Sequence, residues 1–258
     1  MLNKEEWKRQ DRRFHEDSSV IEAYDVNITK KYALEHKYLT TDKWVEEFRR
    51  EGKKLVLDFG CGTGQATLKL LKAGIRTISV DASLGMLKKL CAKCGQNSMS
   101  SICIAADAEE LPFKREVFEG LVCSGVLHHL PDIAKAIENQ SRILKKGGLL
   151  FIAEPYKEKP WFSYPYFIFV SLGKSVWQFF KRPKVKSRER ILSKLDLKNI
   201  LESLEVNGFE SNVSFIAYWP IACGYLPEFL GYPLLSILNK INYGSNKGDT
   251  FVIKAKKE

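Results

Sequence analysis

The chain has 258 residues, 45% of them hydrophobic, with a formal net charge of +10. Such a chain can bury a full core, and its length fits one enlarged domain or a domain with a small cap. The opening MLNKEEWKRQDRRF is charged and lacks the apolar core of a signal peptide, so the expected location is the cytoplasm. Six cysteines stand at 61, 91, 94, 103, 123 and 223. Cys91 and Cys94 form a single CxxC with no second pair or nearby histidine, so no metal is expected and the cysteines read as ordinary reduced thiols.

Residues 1–53 carry two amphipathic patterns that predict helices, around 5–14 and 41–50, with VIEAYDVNITKKYALEH between them. Residues 55–57 then form a short apolar run suited to a strand covered on both faces. The stretch turns on Gly60, Gly62 and Gly64, alternate positions where a backbone turns tightly and approaches a ligand closely. A helix follows from Ala66, and its free N–H groups would point back into the loop. A dinucleotide loop puts its third glycine at position 65, which here is Gln65, while Asp58 stands two residues before the first glycine. That spacing favours an S-adenosylmethionine loop over an NAD loop.

From 54 to 155 strand patterns near 54–58, 76–81, 101–105, 119–124 and 148–153 alternate with helix patterns near 65–73, 83–92 and 132–144. Such alternation predicts an α/β fold with a parallel sheet and helices on both faces. Right-handed crossovers gather the C-terminal strand ends at one edge, where open α/β sheets bind ligands. Asp58, Asp81, Asp107 and Ser124 fall at or near four such ends.

With these stretches in hand, D-x-G-x-G-x-G after an apolar strand resembles the first motif of the class I S-adenosylmethionine-dependent methyltransferases. ISVDAS, AADAEELPF, SGVLHHLPD and KKGGLLFIAEP follow in that family's order and spacing, and SGVLHHLPD resembles the fourth-strand exit in the small-molecule branch that includes quinone and sterol methyltransferases. The resemblance implies a Rossmann-like sheet of seven strands, mostly parallel with an antiparallel terminal strand. It also implies S-adenosylmethionine as cofactor, with 54–155 as the cofactor-binding core and 1–53 as an N-terminal helical cap.

The resemblance assigns roles residue by residue. Asp81 would accept both ribose hydroxyls. Gly60 and Gly62 would let backbone groups meet the methionine moiety, with Cys61 and Gly64 completing the loop. Asp58 would order the loop or meet the methionine ammonium, or serve only as a turn cap. Asp107 would accept from the adenine amino group and the Ala108 N–H would reach the ring. Ala82, Met86, Leu87 and Ser124 would wall the cofactor, although Met86 and Leu87 also read as core. Methyl transfer asks for little beyond in-line alignment, and a base is needed only where the acceptor must lose a proton. His128 and His129 are the candidates, with packing or a carbonyl bond as the alternative for each. Glu154 is another, unless it orders a loop; Tyr24 is a further candidate, or a packing aromatic.

After Pro155 the composition changes. Residues 159–180 are dense in aromatics, and 181–190 carry six positive charges against one negative. Domain-like patterns return in LDLKNILESLEVNGF and SNVSFIAYW, a second apolar stretch runs from 220 to 241, and DTFVIKAKK is the last strand. The expected organisation is therefore a lid insertion over 156–195 and a C-terminal part of the core over 196–258 with a second insertion near 220–243. Prolines and charges interrupt both apolar stretches, so neither reads as a membrane span. A greasy lid beside a basic run fits a small lipophilic acceptor and peripheral membrane contact. RNA or protein methylation is the second reading, since the aromatics cluster with Leu, Ile and Val instead of interleaving with Lys and Arg. A cofactor-binding scaffold without activity is the third. The oligomeric state and the acceptor atom are not legible in these residues.

Overall fold

The computed structural model describes residues 3–29, 40–158, 190–216 and 249–258. Helices α1 (Lys4–Glu16), α2 (Ser18–Thr29) and α3 (Asp42–Arg50) precede β1 (Leu55–Phe59), α4 (Gln65–Lys72), β2 (Arg76–Asp81), α5 (Leu84–Gln96), β3 (Ile102–Ala105) and β4 (Phe118–Ser124). A single 3₁₀ turn (Leu127–His129), α6 (Ile133–Ile143), β5 (Leu144–Pro155), α7 (Lys194–Val206), β6 (Phe209–Ile216) and β7 (Thr250–Lys257) complete the chain.

The strands form one seven-stranded sheet in the order β3-β2-β1-β4-β5-β7-β6. Neighbours from β3 to β5 are parallel, and β7 runs antiparallel to both β5 and β6. The expected α/β sheet with its antiparallel terminal strand is thus observed. Its continuous apolar strands follow from burial on both faces: Leu57, Leu150 and Ile152 enter one core cluster while Val56, Leu149 and Phe151 enter the other.

The second predicted N-terminal helix, α3, packs on the sheet face. Trp44 stacks on Phe151 at 5.5 Å between ring centroids, Phe48 meets the same ring edge-on, and Gly120 leaves the space that Phe48 fills. Helix α2 has no counterpart among the predicted elements. It starts where Asp17 breaks α1 and its carboxylate accepts from the Ser19 N–H at 2.8 Å, a local turn that redirects the chain within two residues. Strand β5 begins at Leu144, earlier than expected. The KKGG stretch is an irregularity inside the strand, with the register jumping between Phe118–Leu144 and Gly120–Leu149 and Gly147 at φ 69°. The stretches 159–180 and 220–241, expected as lid insertions, and the basic run except Arg190 lie outside the described residues.

Candidate active site

A cavity of about 110 Å³ opens at the C-terminal edge of β1, β2 and β4, roofed by α1 and α2. Tyr24, Gly60, Gly62, Asp81, Ala82, Met86, Ala108 and His129 from the expected set line it. Asp58, Cys61, Gly64, Asp107, Ser124, His128 and Glu154 are not among its lining residues, and Leu87 belongs to a core cluster with Cys61, Leu90 and Cys94.

The floor is the glycine loop. Gly60 and Cys61 donate to the Val80 carbonyl at 2.8 and 2.9 Å, tying the exit of β1 to β2. Gly60 has φ +69°, and a Cβ there would lie 2.3 Å from Val126 Cγ2, so only glycine fits. At Gly62 the space a side chain would enter faces the Tyr24 ring, 3.1 Å from Cε1. Asp58 is buried beneath the loop, where its Oδ2 accepts from the Thr67 N–H at 2.8 Å and the Thr67 hydroxyl at 2.6 Å. Burial pushes its carboxyl up to about 6 despite those donors, with Asp81 adding repulsion.

Asp81 ends β2 at the base of the cavity. Its Oδ2 accepts from the Gly62 N–H and its Oδ1 from the Ser83 N–H, both at 2.8 Å. Burial raises its pKa against these two bonds. Each oxygen keeps a lone pair for a further donor, so a vicinal diol is a chemical match for this carboxylate. Ser83 then caps α5 by accepting from the Met86 N–H at 3.1 Å, which sets Met86 in the cavity wall.

Helix α1 closes the site in a way the sequence did not announce. Glu16 accepts from the Leu84 and Gly85 N–H groups at the start of α5, the Ser83 hydroxyl donates to the His15 carbonyl, and Lys8 pairs with Asp107 and Glu109 at 3.0 and 2.8 Å. Asp107, expected beside the adenine, is therefore held by Lys8 while Oδ1 accepts from the Glu109 N–H. Asp25 of α2 accepts from the Thr63 hydroxyl at 2.8 Å and pairs with Lys93, fastening α2 to the glycine loop and α5.

The far wall is the turn after β4. Glu154 of β5 is completely buried; its Oε1 accepts from the Val126 and Leu127 N–H groups at 2.8 and 2.7 Å, and Oε2 pairs with His128 Nδ1 at 2.7 Å. Glu154 and His128 so stand behind the wall, and His129 forms its surface. His129 Nδ1 lies 3.0 Å from Asp11 Oδ1, and His15 Nδ1 lies 3.4 Å from Asp11 Oδ2. Burial disfavours the charged form of Asp11, yet the two imidazoles hold its carboxyl far below the usual range. Burial likewise pushes His15 down, and Asp11 more than reverses that, leaving its pKa raised. Among the described residues this trio is the one group whose donor atoms converge as metal ligands do, all within 4.8 Å. Asp11, Arg12, His15 and Val126 line the cavity and were missed from sequence. The amphipathic pattern over 5–14 announces the helix, but with no residue fully buried it does not say which partners Asp11, Arg12 and His15 will meet.

Residues 57–152 match the family model described as a methyltransferase domain. Over this segment the chain is similar to methyltransferase domains. The demethylmenaquinone methyltransferase of Thermobifida fusca (strain YX) is 34% identical over 102 residues, covering 39% of this chain and 43% of that protein. That of Corynebacterium kroppenstedtii is 32% identical over 135 residues, covering 49% of this chain and 56% of that protein. The match thus spans about half the length of these curated relatives. In structure, magnesium protoporphyrin IX methyltransferase from Synechocystis PCC 6803 with bound SAH shares the fold at a TM-score of 0.65 and 15% identity, covering 98% of this chain and 100% of that one. A possible histamine N-methyltransferase from Thermotoga maritima follows at 0.59 and 22%, with coverage of 95% and 99%. Outside the matched segment, α1 and α2 roof the cavity, fastened to it through Ser83 and Thr63.

Proposed function

We propose that the chain transfers the methyl group of S-adenosylmethionine to a small lipophilic acceptor. The observation that carries the cofactor half is Asp81, a half-buried carboxylate at a strand tip, fixed by two backbone N–H groups and open to the cavity. In this reading Asp81 holds the ribose hydroxyls, the glycine loop and Tyr24 border the methionine end, and Met86, Ala106 and Ala108 wall the base. The cofactor supplies a sulfonium that makes its methyl electrophilic. What the protein adds is alignment, an effect on the order of 7–11 kcal/mol for well-oriented reactants, and exclusion of water by the α1 roof.

Where the acceptor must lose a proton, His129 is the better placed of the two histidines, because it faces the cavity while His128 is engaged with Glu154. The quinone-type names of the relatives and the greasy composition of 159–180 and 220–241 support a lipophilic acceptor. Among the described residues no helix is long and apolar enough to cross a membrane; peripheral contact through the basic run 181–190 is part of the proposal.

Calorimetry tests the cofactor. Asp81→Ala should weaken S-adenosylmethionine binding by about 2–4 kcal/mol through loss of two charge-assisted bonds, and unchanged affinity in a folded variant would end the assignment. Methyl transfer from labelled cofactor to total lipid extract and total RNA in parallel tests the acceptor. Label in lipid is expected; label only in RNA would replace the lipid reading.

A further inference from the structure

The CxxC spacing couples Cys91 to Cys94 in sequence, but the fold couples Cys91 to a different partner. Cys94 points inward from α5 and is buried in the cluster with Cys61, Leu87 and Leu90, while Cys91 is exposed. The outermost strand of the parallel half, β3, brings Cys103 against α5, and the two sulfurs Cys91 Sγ and Cys103 Sγ lie 3.2 Å apart. A disulfide bond is about 2.05 Å long, so the two sulfurs already stand as contacting neighbours.

We propose that Cys91 and Cys103 form a reversible disulfide, closed by exchange with a low-molecular-weight disulfide. The exposed Cys91 thiolate attacks one sulfur of that reagent, forming a mixed disulfide and expelling the first small thiolate. Cys103 then gives up its proton and attacks the Cys91 sulfur, and the second small thiolate leaves. The protein loses two protons and two electrons, and the reagent takes them up to become two thiols. The order of attack follows from access, because Cys103 is partly covered and burial, with Cys91 beside it, pushes its thiol up to about 12. Cys61 and Cys123 are buried, and burial raises both thiols well above their ordinary value, so they stay out of the exchange. The bond would tie α5, which supplies Met86 to the cavity wall, to β3, whose exit supplies Ala106 and Ala108. It stands on thiol geometry alone and is independent of what the cavity binds.

The test uses the full chain, reduced, exchanged into glutathione disulfide, trapped with an alkylating agent and mapped by peptide mass spectrometry. Expected is a Cys91–Cys103 linked peptide in the parent chain and in Cys94→Ser, lost on adding dithiothreitol. Cys91→Ser should abolish it, and Cys103→Ser should stop with glutathione on Cys91. A Cys91–Cys94 link that survives Cys103→Ser, a link from Cys91 to Cys223, glutathione remaining on Cys91 of the parent chain at equilibrium, or free thiols throughout under excess oxidant would each overturn it.

Discussion

Two turns meet at the site, one after β1 and one after β4, and both are organised by a buried carboxylate that accepts backbone N–H groups. They differ in where the carboxylate comes from. The glycine loop is held by Asp58, nine residues from its partner Thr67, and by Asp81 of the adjacent strand. The turn after β4 is held by Glu154, between 26 and 28 residues away, and by Trp7 and Asp11 from α1, more than a hundred residues away. The same solution to unsatisfied N–H groups at a strand exit is local in one turn and distant in the other. The turns touch where Val126 fills the space over Gly60.

The largest effect is expected at the distant carboxylate. Glu154→Ala would leave the Val126 and Leu127 N–H groups and His128 without their buried partner and should cost about 3–5 kcal/mol in urea unfolding. Glu154→Gln should cost less, since its carbonyl still accepts; equal losses would show that volume, not hydrogen bonding, holds the turn.

At the local carboxylate the signature is pH dependence. Because burial raises Asp58 from 3.8 to about 6, the folded state binds its proton more tightly than the unfolded chain. Stability should therefore fall as pH rises from about 4 to about 6 and remain lower above that, by about 3 kcal/mol for this group. Asp81, also raised, acts in the same direction, and Asp11, strongly lowered, acts oppositely as pH falls below the carboxylate range. The difference between Asp58→Asn and the parent isolates Asp58: the variant's profile should be flatter, and an unchanged slope would place the titration elsewhere.

The contact between the turns comes next. Gly60→Ala must adopt a left-handed backbone and push into Val126, an expected loss of about 2–3 kcal/mol. In a double-mutant cycle with Val126→Ala the contact part should disappear and the backbone part of about 1–2 kcal/mol remain. Strict additivity would mean the two turns are not packed as described. Smallest is Trp7→Phe, which removes the indole N–H donated to the His129 carbonyl at 2.8 Å and should cost about 1 kcal/mol by thermal melting.

The sequence by itself determined the parallel core, because strands buried on both faces read as apolar runs, and it determined the glycine loop, Asp58 and Asp81, because their constraints act over a few residues or recur as a motif. Residue type and spacing were enough there. A helical cap was expected from 1–53, but how it docks was decided only in three dimensions. Helix α1 buries no residue and docks through Lys8, Asp11, His15 and Glu16, whose charges look like any solvated face until their partners arrive from β3, β4 and α5. The same holds for Glu154, a candidate base by its strand-end position, which the fold turns toward the N–H groups of the neighbouring strand's exit. It holds for Cys91 too, whose partner across the sheet edge is twelve residues away while its motif partner points into the core. Hydrophobic period reports which face is buried; it carries no information about which polar group a side chain will meet, and that depends on strand order and register.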